Sequence, residues 1–159
     1  LDIMNEACQA RPAAVGHDGK HSQPVRQARL VHLEGLDMPR FIRPRSVLAV
    51  RDLSSSTAYY REVLGFSKDS IEAEGWSFLS RDGVHLMLGE CPDEVDASET
   101  GNHSWFLHVL VEGVDALHGE VVRKGGKVVV PLGDRSHGHR EFVVESPDGH
   151  RILFGEPIA

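Results

Sequence analysis

From residue 44 onward the chain passes through one order of elements twice, and this duplication restricts the fold more than any single motif does. The first pass opens with RSVLAV, Arg45 to Val50, whose alternating β-branched and apolar residues predict a half-buried strand. A helix follows over Thr57 to Leu64, with Asp52 or Ser54 able to accept hydrogen bonds from the free N–H groups at its start and Gly65 ending it. Ala58, Tyr59, Val63 and Leu64 are expected on its core face. Three strands are then predicted over 66–70, 75–80 and 84–89, the last two joined by a tight turn at Arg81, Asp82 and Gly83.

After a polar, acidic stretch over 90–101, read as a loop, the order recurs. It comprises a strand over 104–111, a helix from Val114 to about Lys124 stopped by Gly125 and Gly126, and strands over 127–130, 140–145 and 150–155. The turn Ser146-Pro147-Asp148-Gly149 joins the final pair, Pro presetting one backbone angle and Gly relieving another. A repeat of about 55 residues therefore organises the domain. The expected class is α+β: two βαβββ modules, about 44–90 and 103–157, in one domain over 44–157.

Residues 1–43 mix Gly, Pro, Gln and His with scattered charge, and only VHLEGL at Val31 to Leu36 suggests local order. They are expected to form a largely flexible extension, and Met38 stands where a shorter natural chain could begin. No apolar run approaches the roughly 18 residues of a membrane span. The first residues lack the basic start, apolar core and cleavage site of a secretory signal, so the cytoplasm is the expected compartment. Cys8 and Cys91 are too few for a disulfide framework or zinc knuckle, and reduced thiols are the expectation. The domain carries 19 acidic and 11 basic residues, a net −8 that opposes nucleic-acid binding and favours cationic ligands. No nucleophile elbow, phosphate-binding loop or dinucleotide fingerprint is present.

Three stretches, VLAVRDLSSSTAYYREVLGF at Val47 to Phe66, HVLVEGVDAL at His108 to Leu117 and REFVVESPDGHRILFGE at Arg140 to Glu156, resemble the vicinal-oxygen-chelate superfamily. That group includes glyoxalase I, extradiol dioxygenases, fosfomycin-resistance enzymes and bleomycin-binding proteins. The resemblance implies curved sheets around a cleft, helices on the outer faces, and pairing into homodimers. It also implies that metal-dependent relatives place four inward ligands on the first and fourth strands of each half. Aligned to those positions, this chain offers Arg45, His85, Phe106 and Leu153, of which only His85 has a usable lone pair. A stable divalent site needs at least three converging donors. The expectation is therefore no metal, no cofactor and no assigned catalytic residue, in character closest to the non-metallated bleomycin-resistance-like members.

The expected ligand cleft comprises Arg45, Val47, Trp76, His85, Met87, Phe106, His108, Phe142 and Leu153, with Ala49 and Phe78 contributing. This list rests on His108 sharing a face with Phe106 by strand alternation. It also rests on a last hairpin in which Phe142 and Val144 lie beside Arg151 and Leu153, with Val143, Ile152 and Phe154 turned to a helix. Such a lining suits a flat or aromatic molecule, an antibiotic among others. Binding and sequestration is the leading expectation. The alternatives are a metal-dependent lyase or dioxygenase, or a metal-free isomerase with His85 or His108 as base. His137 and His139 form an HxH pair that can chelate when extended, with Glu141 the nearest third donor, although loop histidines usually do not ligate. The acidic loop, Glu90 to Thr100, is expected to be solvated or to draw a cationic ligand. His17, His21 and His32 in the extension carry no expected chemistry.

Overall fold

A computed structural model describes residues 41–158. The expectations for VHLEGL, Met38, Cys8, His17, His21 and His32 lie outside those residues. A compact unit begins at Pro44. Its elements are β1 (Ser46–Val50), α1 (Leu53–Glu62), β2 (Ser67–Lys68), β3 (Trp76–Arg81), β4 (Val84–Glu90), a 3-10 helix (Ala97–Ser104), β5 (Trp105–Leu110), α2 (Val114–Arg123), β6 (Lys127–Asp134), β7 (His139–Glu145) and β8 (Arg151–Pro157). They build two mixed four-stranded sheets, ordered β1-β4-β3-β2 and β5-β8-β7-β6. In each sheet the first and fourth strands run parallel and the other pairs antiparallel, so the duplication is complete at the level of topology. The architecture is α+β, two βαβββ modules.

The repeat extends to side chains. At the end of β8, Glu156 accepts from the free N–H groups of Gly113 at 3.1 Å and Val114 at 2.9 Å, capping α2. At the equivalent end of β4, Glu90 accepts from Leu53 at 3.4 Å at the start of α1. Asp52 adds the true N-cap of α1, its carboxylate accepting from Ser55 N at 2.6 Å. That cap starts the helix at Leu53, ahead of the expected Thr57. The face of α1 that is buried runs through Ser56, Tyr60 and Leu64, each four residues apart, with Tyr59 and Val63 at its margin.

Each sheet has one helix-facing side. Leu48, Val50, Leu79, Leu86 and Leu88 from the first sheet and Phe142, Val144, Ile152 and Phe154 from the second belong to a single buried cluster with Tyr60, Leu64, Val114 and Val121 of the helices. The register of the last hairpin corrects the expected one: Phe142 lies opposite Phe154, Val143 opposite Leu153 and Val144 opposite Ile152. Phe142 is therefore a core residue, 0 % exposed, stacked on Phe154 at 5.4 Å between ring centroids and met edge-on by His118 of α2 at 5.0 Å. Counting alternation from the wrong end of a hairpin inverts every face, because the side-chain period is two.

The acidic stretch read as a loop holds the 3-10 helix, kinked at Gly101, and is tied down. Asp96 accepts from Ser98 N and Oγ at 2.9 and 2.6 Å and pairs with Arg51 at 2.6 Å. Cys91 is buried. No helix among the described residues is long and apolar enough to cross a membrane.

Candidate functional site

The faces opposite the helices carry the candidate site. Alternation along β1, β3 and β4, fixed by the pairs Val47 with Met87, Phe78 with Met87 and Ser80 with His85, puts Val47, Ala49, Phe78, Ser80, His85 and Met87 on one open face. Arg45, just before β1, extends over it with its guanidinium carbon 5.3 Å from the Phe78 ring centroid and one nitrogen 3.4 Å from Asp69. Asp69 also accepts from Ser80 Oγ at 2.6 Å. The remaining terminal nitrogen, Arg45 Nη1, is buried without a hydrogen-bond partner, as is the indole N–H of Trp76. Trp76 lies across Gly89, where a Cβ would come within 2.8 Å of the ring, so glycine is what lets the indole settle on the sheet.

On the second sheet His108 sits opposite Leu153 and Trp105 opposite Arg151, whose guanidinium carbon lies 5.8 Å from the Trp105 ring centroid. The register slips between Trp105 and Leu107, so Phe106 is the extra residue of a bulge. Its ring turns edge-on to His150 at 4.6 Å, and simple alternation between Phe106 and His108 fails there. Trp105 takes the open-face position that sequence reasoning gave to Phe106. A strand read with a constant period of two cannot foresee a bulge.

Pairs that face one another on the open sides of the first and fourth strands include Val47 with Met87 in one sheet and His108 with Leu153 in the other. The side chains of Val47 and Leu153 have no lone pair, Met87 has only a soft thioether, and His108 alone offers a ring nitrogen. These positions do not fit a divalent ion, and no step of chemistry is derived through one there. Arg45 and His85, two residues before Val47 and Met87, share their face one pair along.

On these faces Val47 is 40 %, Trp105 43 % and Leu110 63 % exposed, while Phe78 and Trp76 are buried. One cavity of about 440 Å³ lies away from these faces, lined by Leu64, Phe66 and Val84 of the first module and Val109, Leu117 and Phe154 of the second, and another of about 500 Å³ is lined by Leu53, Arg61, Trp76 and Glu90.

At the far end of the second sheet the β6–β7 connection gathers a further group. The turn closes through Gly138 N to Arg135 O at 3.0 Å and Arg135 N to His139 O at 2.7 Å, with Gly138 at φ +82°. Few residues other than glycine adopt that angle, and it folds His137 back beside β7. His137 Nε2 lies 2.9 Å from Glu141 Oε1, and donor atoms of His137, His139 and Glu141 all lie within 4.8 Å of one another. Sequence reasoning noted this trio but gave it little weight, since only the turn brings the first histidine over the carboxylate.

The model of the Glyoxalase/Bleomycin resistance protein/Dioxygenase superfamily matches residues 30–154, starting ahead of Pro44, and the chain belongs to that superfamily. A curated relative, an uncharacterized protein of Mycobacterium tuberculosis strain H37Rv, is 28% identical over 89 residues, 56% of this chain and 51% of its own. The chain spans about half the length of the curated relatives it matches. Among solved structures, TioX from Micromonospora sp. ML1 superposes with a TM-score of 0.60 at 22% identity over 74% of this chain and 100% of its own. TnmS3, an antibiotic binding protein from Streptomyces sp. CB03234, gives 0.60 at 18% identity over 76% of this chain and 98% of its own. A superfamily member from Alicyclobacillus acidocaldarius gives 0.64 at 18% over 74% of this chain and 92% of its own. At these identities the likeness is one of fold.

Proposed function

We propose that the protein binds and sequesters a small, partly aromatic molecule, of the antibiotic type, on the open faces of its sheets, and that a second copy of the chain completes the cleft. The observation that carries this reading is the combination of ring surfaces with unspent polar groups. Trp105 offers exposed ring surface, the rings of Phe78 and Trp76 are buried beneath the face, and Arg45 Nη1 and Trp76 Nε1 are desolvated donors without partners. A buried donor left unsatisfied costs about 1–3 kcal/mol, a cost that a ligand acceptor would remove. Val47, His85, Met87, His108 and Leu153 complete the surface. The unsuitability of the four facing positions for an ion favours retention of a ligand over metal-assisted turnover. The antibiotic binding noted for TnmS3 agrees with this reading.

The test is a thermal-shift and tryptophan-fluorescence screen of the full chain against bleomycin, flat aromatic antibiotics and simple aromatic acids. A true ligand at 100 times its Kd should add about 2.7 kcal/mol of stability. Arg45→Ala should then weaken binding by about tenfold or more through loss of a charged hydrogen bond. A flat response across the panel, or turnover of a bound compound, would overturn the sequestration reading.

A further inference from the structure

We infer that His137, His139 and Glu141 hold one divalent transition-metal ion, of the Zn²⁺, Ni²⁺ or Cu²⁺ class, at the β6–β7 hairpin. This place lies on β7 and the turn before it, with His108 of β5 as its neighbour.

The trio has donors suited to such an ion, two imidazoles and a carboxylate, on a stretch whose geometry is set by the backbone. His139 and Glu141 are two residues apart on β7 and so share a face, while the Gly138 turn brings His137 over the same spot. Donors around one Zn²⁺ with bonds of 2.0–2.1 Å lie roughly 3.3 Å apart in a tetrahedron. His137 and Glu141 are already at 2.9 Å and all three fall within 4.8 Å, a gap that side-chain rotation closes without moving the strand.

Three independent features indicate that an ion belongs there. Glu141 is 5 % exposed, and an ionised carboxylate so buried needs a compensating positive charge. Arg135 supplies only part of it: its Nε stands 3.9 Å from Oε2, and its terminal nitrogen donates to the carbonyls of Pro131 and Glu141. Oε1 is left to face His137. His139 Nδ1 is buried without a hydrogen-bond partner, so one imidazole nitrogen of the trio is unspent. Lastly, Gly155 opposite Glu141 makes room for the group. A Cβ there would stand 3.1 Å from Glu141 Cγ and 3.2 Å from His108 Nε2. His108, its ring centroid 6.4 Å from that of His139, is the neighbour that could offer a fourth donor or meet a ligand's own chelating group. Arg135 on Oε2 then acts as an outer partner that orients the carboxylate, a role ligating carboxylates commonly require.

The chelator-treated full chain should take up one equivalent of Zn²⁺ in a calorimetric titration, and Co²⁺ should give the visible absorption of a low-coordinate nitrogen and oxygen site. His137→Ala, at an exposed position of the turn, and Glu141→Gln should each weaken uptake by about tenfold or more. His85→Ala, and replacement of His17, His21 and His32 together by Ala, should leave it unchanged. Circular dichroism of His137→Ala guards against misfolding. Absence of saturable uptake would overturn the site, and so would uptake that survives His137→Ala combined with His139→Ala. No organic ligand enters this experiment, so its failure and that of the binding proposal are separable.

Discussion

His150 is buried behind the Phe106 ring, with its Nδ1 3.2 Å from Ser146 Oγ and its own N–H donating to that oxygen at 3.1 Å. Desolvation lowers its pKa below the usual 6.5, and the opposing pull of Asp148 and Asp96 does not restore it. The folded chain thus holds the neutral ring, while the unfolded chain takes up the proton first as acid is added. Stability from this residue is fully present above about pH 6.5 and is lost as the pH falls from there toward the folded pKa. Urea midpoints measured from pH 7.5 to 5.5 should fall more steeply for the native chain than for His150→Gln, and parallel slopes would refute the assignment. At this scale the sequence was only partly legible. Arg45, His85 and His108 share faces with Val47, Met87 and Leu153 through the pairings of β1 with β4 and β5 with β8. Phe142 and Phe106 do not, because faces along the last hairpin depend on its register and a bulge resets the count on β5. The trio at the β6–β7 turn was visible as HxH, but its convergence depends on one positive φ that no spacing rule reveals.

Among elements, α1 is held by more than its own module. Asp148, in the turn between β7 and β8, accepts from Ser56 Oγ at 2.6 Å and from Arg51 N at 2.9 Å, and its backbone carbonyl accepts from Ala97 N at 3.0 Å. Tyr59 adds a bond from its hydroxyl to Glu145 O at 3.3 Å, and burial there raises the phenol pKa to about 12, so it remains a donor at neutral pH. The turn therefore clamps the N-terminal half of α1 and the 3-10 helix onto the second sheet. A buried hydrogen bond to a charged acceptor contributes roughly 1.5–3 kcal/mol. Ser56→Ala and Asp148→Asn should each lower unfolding free energy in that range, and a double-mutant cycle should return a coupling of about 1 kcal/mol or more. Additive losses would show that the clamp is not energetically real. The order of strands and α-helices was legible, since Pro147 and Gly149 marked the turn and Gly65 and Gly125 marked the helix ends, whereas the 3-10 helix over Ala97–Ser104 was not. The clamp was not legible, because Asp148 and Ser56 are 92 positions apart in sequence and neither residue type announces the partner. Gly149, besides its φ of +80°, is pressed against Asp96 and Ser98, which explains why the acidic stretch is ordered where its composition predicted only loop.

At the scale of the described domain, one face of each sheet packs into the shared core and the other carries exposed apolar residues along its edge strand. β1 and β5 are edge strands of their sheets, and they lie beside one another. Val47, Trp105 and Leu110 are exposed along them. Contiguous apolar surface of this kind on a small domain marks a contact site more often than free surface. A second copy supplies the same strands with the same open faces, and an isologous pairing would cover both at once. Such a pair must bury on the order of 1,200–2,000 Å² in total to be stable. Light scattering on the full chain should give twice the chain mass at micromolar concentration. Burying a leucine is worth roughly 1.5–3 kcal/mol, so Leu110→Glu should raise the dissociation constant by at least about tenfold to a hundredfold. Because each chain carries a net −7, added salt should tighten the native pair by screening repulsion between like-charged subunits. A monomer that persists at all salt concentrations would leave the open faces without the second wall that the binding proposal requires. A dimer indifferent to Leu110→Glu would place its contact on some other surface.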